Sequence, residues 1–260
     1  MASSHEINSS ILKKIIKKIF SFFGFEILRK NNFNDRYGEY IIECNDEDMS
    51  NINKALNYAL CKKPNIWSLI QSIRYISNNK IQGDFVECGV FKGGSLGIMA
   101  QYAEKYLIDL KIYGYDTFED GFFDAPLHNK DVSIKNKKVT PEKKINNFYP
   151  NKSEVENILK TFITNEKYLP ILIKGDVLKT LKDKKNLPSK ISLLRMDTDL
   201  YLTTKLQLEI LYPKLVKGGI LHIDDYGFCP GVKAAVDEYF VNQKIWLHRV
   251  DFTCRLIIKD

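Results

Sequence analysis

The chain has 260 residues, 44% of them hydrophobic, and a formal net charge of +7. That length supports one full hydrophobic core and is short for two enzyme domains, so we expect one domain with appendages. Five cysteines without a CxxC pair or a Cys/His spacing argue against a zinc module and indicate reduced thiols in a cytoplasmic protein. The sequence contains no apolar run of membrane-spanning length and no secretory signal pattern.

Residues 1–35 form a basic amphipathic arm. Residues 11–29 place Ile, Leu and Phe on one helical face and lysines on another. This pattern suits a helix at the inner face of an anionic membrane, and it equally suits docking on the protein's own apolar surface. Because lysines are also an ordinary source of solubility, we predict no nucleic-acid partner.

Residues 36–80 are predicted to be a helical prelude or lid. A polar and aromatic connection is followed by helical periodicity over residues 50–60 and 65–77, and Pro64 is well placed to start the second helix. From residue 81 to 260 the pattern changes to short strand-forming runs separated by helices. The strand predictions are 84–88, 111–116, 170–176, 191–197 and 218–224.

Strands that alternate with helices predict right-handed crossovers and a parallel sheet, with ligands at the carboxyl ends of the strands. Two last runs, 244–250 and 253–259, are too close for a helical crossover and predict an antiparallel hairpin. This α/β fold is Rossmann-like: a seven-stranded, mostly parallel sheet that ends in a hairpin, as in class I methyltransferases. An insertion at 118–168 is interpreted as a lid, with a helix at 153–162 capped by Ser153 and Glu156.

A glycine-rich turn with the spacing ExGxxxGG follows the first strand, over residues 87–94. Gly89 permits a tight turn, and Gly93 and Gly94 leave the N-terminus of the next helix open to a carboxylate. The spacing differs from the GxGxxG dinucleotide fingerprint. It suits the amino-acid moiety of S-adenosylmethionine (SAM), with Glu87 facing the ammonium and Ser95 facing the carboxylate.

Two further acidic residues at strand ends suit the nucleoside of SAM. Asp116 ends the second strand, where a carboxylate can accept both ribose hydroxyls, as it also does in NAD-binding proteins. Asp176 is placed either to contact the adenine edge or to cap the short helix that follows. With their neighbours in the same loops, the predicted cofactor contacts are Glu87, Gly89, Val90, Gly93, Ser95, Asp116, Thr117, Phe118, Gly175 and Asp176.

Three aspartates converge on the same edge of the predicted sheet. Asp197 ends the fourth strand, and Asp224 and Asp225 end the fifth. Repulsion among three carboxylates raises at least one pKa, and a hard divalent cation relieves that repulsion. Oxygen ligands favour Mg²⁺ or Ca²⁺, or Mn²⁺, over Zn²⁺. We therefore predict a divalent-cation site, most simply for Mg²⁺, with loop capping by tandem aspartates as the alternative.

The motifs DFVECGVFKGGS, YGYDTFEDGF, LLRMDTDLY and GGILHIDDYG resemble, in order and spacing, the macrocin O-methyltransferase family over residues 37–254. This resemblance implies SAM- and Mg²⁺-dependent O-methylation of a sugar hydroxyl on a nucleotide sugar, a glycan or a glycosylated natural product. It also implies that Asp197 is the general base.

Other functions stay open at this point. Catechol-type methyltransferases place a lysine base three residues after the matching aspartate, where this chain has Leu200. An NAD-dependent Rossmann enzyme is disfavoured by the missing GxGxxG motif, and a non-catalytic nucleic-acid or membrane-binding module is the third reading. Tyr201 and His222 lie near enough in sequence to contact the acceptor or to be packing residues. A homo-oligomer is compatible with the sequence.

Overall fold

The computed structural model describes residues 16–25, 41–119, 127–131 and 149–260. The chain divides into two compact units, Met1–Glu43 and Cys44–Asp260. Residues 16–22 of the first unit are helical, and the rest of the predicted 11–29 helix is either a turn or lies outside the described residues. In the described ranges, every helix is too short or too polar to cross a bilayer.

In the described part of the second unit, two helices precede the sheet. Helix α1 spans Asp46–Ala55 and α2 spans Lys63–Asn78. The predicted start of α1, at residue 50, is four residues too late because Asn45 was not recognised as the cap. The Asn45 side chain accepts a hydrogen bond from the Asp48 amide at 2.8 Å. Helix α2 has Pro64 in its first turn, as predicted.

The seven predicted strands form one sheet in the order β3-β2-β1-β4-β5-β7-β6. Strands β1 to β5 are parallel, whereas β7 pairs antiparallel with β5 and β6. The predicted topology is therefore confirmed. The strands are β1 Asp84–Cys88, β2 Ile112–Asp116, β3 Ile171–Lys174, β4 Ile191–Met196, β5 Leu215–Ile223, β6 His248–Arg249 and β7 Arg255–Ile258.

Five further helices connect the strands: α3 Gly94–Lys105, α4 Lys152–Lys160, α5 Val177–Thr180, α6 Tyr201–Ile210 and α7 Pro230–Phe240. The predicted cap of α4 is wrong. Asn151, not Ser153, caps this helix, and Glu154, not Glu156, completes the reciprocal capping box. Asparagine is as good a cap as serine, so the two neighbouring motifs compete, and the earlier one begins the helix.

The two faces of the sheet have different roles. On one face, alternate residues of the central strands pack with helices α5, α6 and α7 in the main hydrophobic core. They include Val86, Leu194 and Leu221. The residues that follow them in sequence, Glu87 and Arg195, turn to the opposite face. The core face therefore carries the main apolar cluster, and the other face carries buried charge.

Candidate active site

Backbone hydrogen bonds join the loops that follow the parallel strands. Each bond links the residue after one strand to the end of its neighbour at 2.9 Å: the Gly89 amide to Tyr115, Gly175 to Asp116, Asp197 to Cys88 and Asp224 to Met196. The predicted convergence of these acidic strand ends on one edge of the sheet is thus present.

Gly89 is needed for the packing of two of these loops. It adopts φ +88°, and a Cβ at this position would lie 1.7 Å from the carbonyl oxygen of Asp197. Any side chain here would push the β4 loop away from the β1 loop. The predicted close approach at Gly89 is therefore made by the chain's own backbone.

Glu87 is completely buried at the end of β1. Its Oε1 accepts hydrogen bonds from the Ser95 hydroxyl and from Arg195 Nη1, the latter at 2.8 Å. Burial raises the pKa of Glu87 to about 7 against the opposing effect of Arg195. Its second oxygen, Oε2, is buried without a hydrogen-bond partner among the described residues, so it can accept a bond from a ligand.

Arg195 organises the charged face of the sheet, and the sequence analysis missed it. Strand register places it between Glu87 of β1 and His222 of β5. Its side chain is 1% exposed and donates to Asp197 Oδ2 and Asp224 Oδ2, each at 2.5 Å, as well as to Glu87. One guanidinium therefore joins the ends of three strands.

Asp116 ties the loops after β1 and β2 together. Its Oδ2 accepts hydrogen bonds from the Val90 and Phe91 amides, at 2.7 and 2.9 Å, and its Oδ1 accepts one from Phe118 at 2.9 Å. Thr117 Oγ1 also donates to Oδ1, at 3.3 Å, so a ribose hydroxyl would have to replace one of these four hydrogen bonds. Asp176 caps α5 through the Leu178 amide at 2.9 Å, as in the capping alternative above.

The predicted metal-site residues do not have equal surroundings. Asp224 is buried, with Oδ2 bound by Arg195 and by Asn65 at 3.1 Å, and Oδ1 bound by Thr253 at 3.0 Å. Asp225 instead lies beside Asp199, with one oxygen of each carboxyl group within 4.8 Å of the other, and Asp197 also affects its pKa. Asp199 received no role from the sequence, although it lies two residues after Asp197 in the quoted motif.

Asp199 and Asp225 form a carboxyl pair. Burial, together with repulsion between carboxylates, raises the pKa of Asp199 to about 6 and of Asp225 to about 9, so the pair holds a shared proton near neutral pH. Among the described residues, the group of three possible ligand atoms within 4.8 Å of one another belongs to Asp199, Asp225 and Cys229, and not to the predicted trio Asp197, Asp224 and Asp225. Burial raises the pKa of Asp197 as well.

This pair predicts a pH dependence of stability in metal-free protein. A folded pKa raised above the ordinary value contributes stability that is present below about pH 4 and is lost as pH rises toward 9. Across this window, we expect the free energy of unfolding of the wild-type protein to fall, relative to that of Asp225→Asn, by up to about 1.4 kcal/mol per pH unit. Urea unfolding in chelator at several pH values measures the difference. Parallel pH curves for the two proteins would contradict the prediction.

Both predicted acceptor contacts are buried in the structure. His222 Nε2 lies 2.8 Å from Ser68 Oγ, and burial lowers the pKa of the ring to about 3, so it is neutral. Tyr201 donates its hydroxyl to Glu238 at 2.7 Å and stacks on His128. Their described partners are protein groups, and a contact of either with an acceptor stays a prediction.

Asp131 fastens part of the insertion to the start of α6. Its side chain is 2% exposed and accepts the Tyr201 amide at 2.8 Å and the His128 amide at 2.9 Å. Gly231 makes room for it, since a Cβ there would lie 1.9 Å from Asp131 Oδ1. The Tyr201 amide, which begins α6 just after the Asp197–Asp199 loop, is therefore hydrogen bonded to a residue 70 positions earlier in the sequence.

We expect Asp131→Asn to destabilise the protein by about 1.5–3 kcal/mol, because the amide can satisfy only one of two buried donors and the favourable charge at the α6 N-terminus is lost. Urea unfolding measures this loss. Asp109→Asn is the matched control, since Asp109 is exposed and pairs with exposed Lys167. Equal stability of the two variants would contradict the role of Asp131.

A family model described as Macrocin-O-methyltransferase (TylF) matches residues 28–257. The chain belongs to the macrocin O-methyltransferase family. The resemblance of the sequence motifs to this family is thereby confirmed. The demethyldecarbamoylnovobiocin O-methyltransferase of Streptomyces niveus is 30% identical over 173 residues, 65% of this chain and 62% of that protein. The match spans less than two thirds of that relative.

Two solved structures show the same fold. The O-methyltransferase NovP has a TM-score of 0.67 and 24% identity, over 78% of this chain and 82% of NovP. CalS11, described as a TDP-rhamnose 3'-O-methyltransferase, has a TM-score of 0.55 and 18% identity, over 84% of this chain and 96% of CalS11. Other methyltransferases of this fold were solved with S-adenosylhomocysteine (SAH) or SAM bound. The chain therefore has the class I methyltransferase fold.

Proposed function

We propose that the chain is a SAM-dependent O-methyltransferase that methylates a sugar hydroxyl with the help of a divalent cation. The observation that carries the proposal is the meeting of Glu87 and Asp116 with a cluster of carboxyl groups at one sheet edge, in a chain of this family. A sugar-containing acceptor is supported by the relative that methylates demethyldecarbamoylnovobiocin and by the structural neighbour CalS11, a TDP-rhamnose 3'-O-methyltransferase.

The residues of the β1 and β2 loops fit SAM, which supplies an electrophilic methyl group when bound. Glu87 Oε2 is a buried acceptor without a partner in the described part of the chain, as an ammonium donor requires. Asp116 stands at the end of the neighbouring strand with both oxygens oriented by backbone amides. These two side chains would hold opposite ends of the cofactor. The remaining predicted contacts lie in the same loops or at the start of α3, except Gly175 and Asp176, which follow β3.

The carboxyl cluster fits a hard cation, which when bound would lower the pKa of an acceptor hydroxyl. Asp197, Asp224 and Asp225 are the proposed ligands. Burial, followed by repulsion within the cluster, raises the pKa of Asp197 and Asp225 despite the nearby Arg195, and a bound cation would add the positive charge that favours their ionised forms. The Asp197 side chain is 30% exposed, so it can contact an acceptor and take up the hydroxyl proton as general base. Asp199 joins the same cluster, and the proton that it shares with Asp225 in the metal-free protein would leave when the cation binds.

Calorimetric titration of metal-free protein tests the cofactor. We expect SAH to bind at micromolar concentration and NAD not to bind. Glu87→Gln, which keeps the shape of the side chain but removes its charge, should weaken SAH affinity by at least about tenfold, since hydrogen bonds to charged groups are the stronger ones. Failure to bind SAH, or preference for NAD, would remove the basis of the proposal.

An acceptor screen with and without Mg²⁺ tests the rest. Methyl transfer to TDP-linked deoxysugars and glycosylated small molecules is expected to exceed transfer to catechol, because no lysine follows Asp197 at the position of the catechol-type base, which Leu200 occupies. Turnover should fall in chelator and return with Mg²⁺. Faster methylation of catechol, or turnover that is unaffected by chelator, would refute the acceptor class or the metal, respectively.

A further inference from the structure

The described part of the first unit carries an apolar cluster that the proposed methyl transfer does not use. We define the aromatic end as residues 19–25, which follow the first turn of the helix at residues 16–22. Its largest side chains are exposed: Phe22 by 86%, Phe23 by 67% and Phe25 by 64%. Folded proteins seldom expose several large apolar side chains side by side without a partner.

The local backbone explains why these rings lie together. The amide of Gly24 donates to Ser21 O at 3.0 Å and that of Phe25 donates to Phe20 O at 2.9 Å, while Gly24 adopts φ +79°. This pair of bonds is a Schellman ending, which turns the chain back on the helix. It brings the Phe25 ring to 6.5 Å from Phe20, and Phe22 and Phe23 also form an edge-to-face pair.

Positive charge lies beside the aromatic end. Lys17 and Lys18 are exposed on the same helix, and residues 11–25 contain four lysines and no acidic residue. An aromatic cluster beside lysines matches the interface of an anionic bilayer, where the rings enter the headgroup boundary and the ammonium groups contact lipid phosphate.

We propose that the aromatic end binds the surface of an anionic membrane. Ile16, Ile19, Phe20 and Phe23 share one helical face by their spacing, and this face would lie against the lipid together with the exposed Phe22 ring that pairs with Phe23. A surface made only of lysines would bind through charge alone. The exposed rings add apolar area, so part of the affinity should persist when salt screens the lysines.

Vesicle flotation of the full chain tests this proposal, and it needs no catalytic activity. We expect binding to phosphatidylcholine vesicles with about one third phosphatidylglycerol, and weaker binding to phosphatidylcholine alone. The double variant Phe22→Ser/Phe23→Ser should lose at least about tenfold in affinity. Lys17→Glu/Lys18→Glu should lose about tenfold and no longer distinguish the two vesicle types.

Val241→Ser/Trp246→Ser is the matched control, since both side chains are largely exposed apolar groups of the second unit. It should bind vesicles like the wild type. The proposal is overturned if the wild type does not float with anionic vesicles or if the Phe22/Phe23 variant binds equally well. It is also overturned if sedimentation shows that these phenylalanines mediate self-association and the protein does not bind vesicles. The partner of the aromatic end would then be a second copy of the chain.

Discussion

Arg195→Met is expected to destabilise the metal-free protein by about 3–5 kcal/mol, because it removes the cation shared by three carboxylates while leaving them in place. Arg195 is 1% exposed and contacts Glu87, Asp197 and Asp224. Methionine fills a similar volume, so the loss reports charge rather than a cavity. Urea unfolding in chelator measures it.

The pH dependence of this variant separates charge from packing. Without the guanidinium, the pKa of the buried carboxyl groups rises further, so Arg195→Met should recover part of its lost stability as pH falls toward 5. Arg195→Lys keeps the charge without the planar fork and should lose less. Arg249→Met is the control, because Arg249 lies on an exposed strand and its Nε donates to a backbone carbonyl. A loss below about 1 kcal/mol for Arg195→Met would contradict the role of the cation.

The sheet could be predicted because its rules act over short stretches. Alternation of strands with helices determines parallel pairing, and a connection too short for a helix determines the hairpin. Strand bounds were less accurate. Strand β5 begins at Leu215, three residues before the predicted start, across a register shift near Gly218. Strand β6 pairs over only two residues because an edge strand has a single neighbour, and an alternating pattern does not say how far that neighbour extends.

The site was predicted only in part. Acidic residues at strand ends are visible in sequence, and the structure brings Asp197, Asp224 and Asp225 to one edge. Their division into an Arg195-bound group and an Asp199-bound pair depends on register and on loop conformation. Asp199 and Asp225 both adopt positive φ, near +60°, which no local pattern indicated.

One signal for Arg195 was present in the sequence. The run 191–196 is apolar except for Ser192 and Arg195. A central parallel strand is covered on both faces, so an arginine within it requires acidic partners on the neighbouring strands. Glu87 stands in the ExG motif at the end of the strand beside it. Combining the two observations predicts the ion pair, although not the choice of Glu87 rather than Asp116 as the partner.

Asp225→Asn is expected to reduce methyl transfer by about 100-fold or more while SAH affinity stays within about threefold of wild type. A direct ligand should matter at least as much as the outer groups of metal sites, whose loss commonly costs 10–100-fold. Asp225 contacts Asp197 and Asp199, whereas Glu87 and Asp116 are the proposed cofactor contacts, so binding and turnover should separate. Calorimetry with SAH and a methyl-transfer assay over a range of Mg²⁺ concentrations measure both.

Asp237→Asn is the matched control for Asp225→Asn, because Asp237 is an α7 carboxylate that pairs with the Tyr226 hydroxyl and Lys233 outside the cluster. If Asp225 holds the cation, the asparagine variant should need more Mg²⁺ for its residual turnover and, in chelator, should be more stable than wild type at pH 8. If Asp225→Asn were more stable than wild type but had unchanged turnover, repulsion between carboxyl groups would still explain the raised pKa. The proposed role of the metal in methyl transfer would then be wrong.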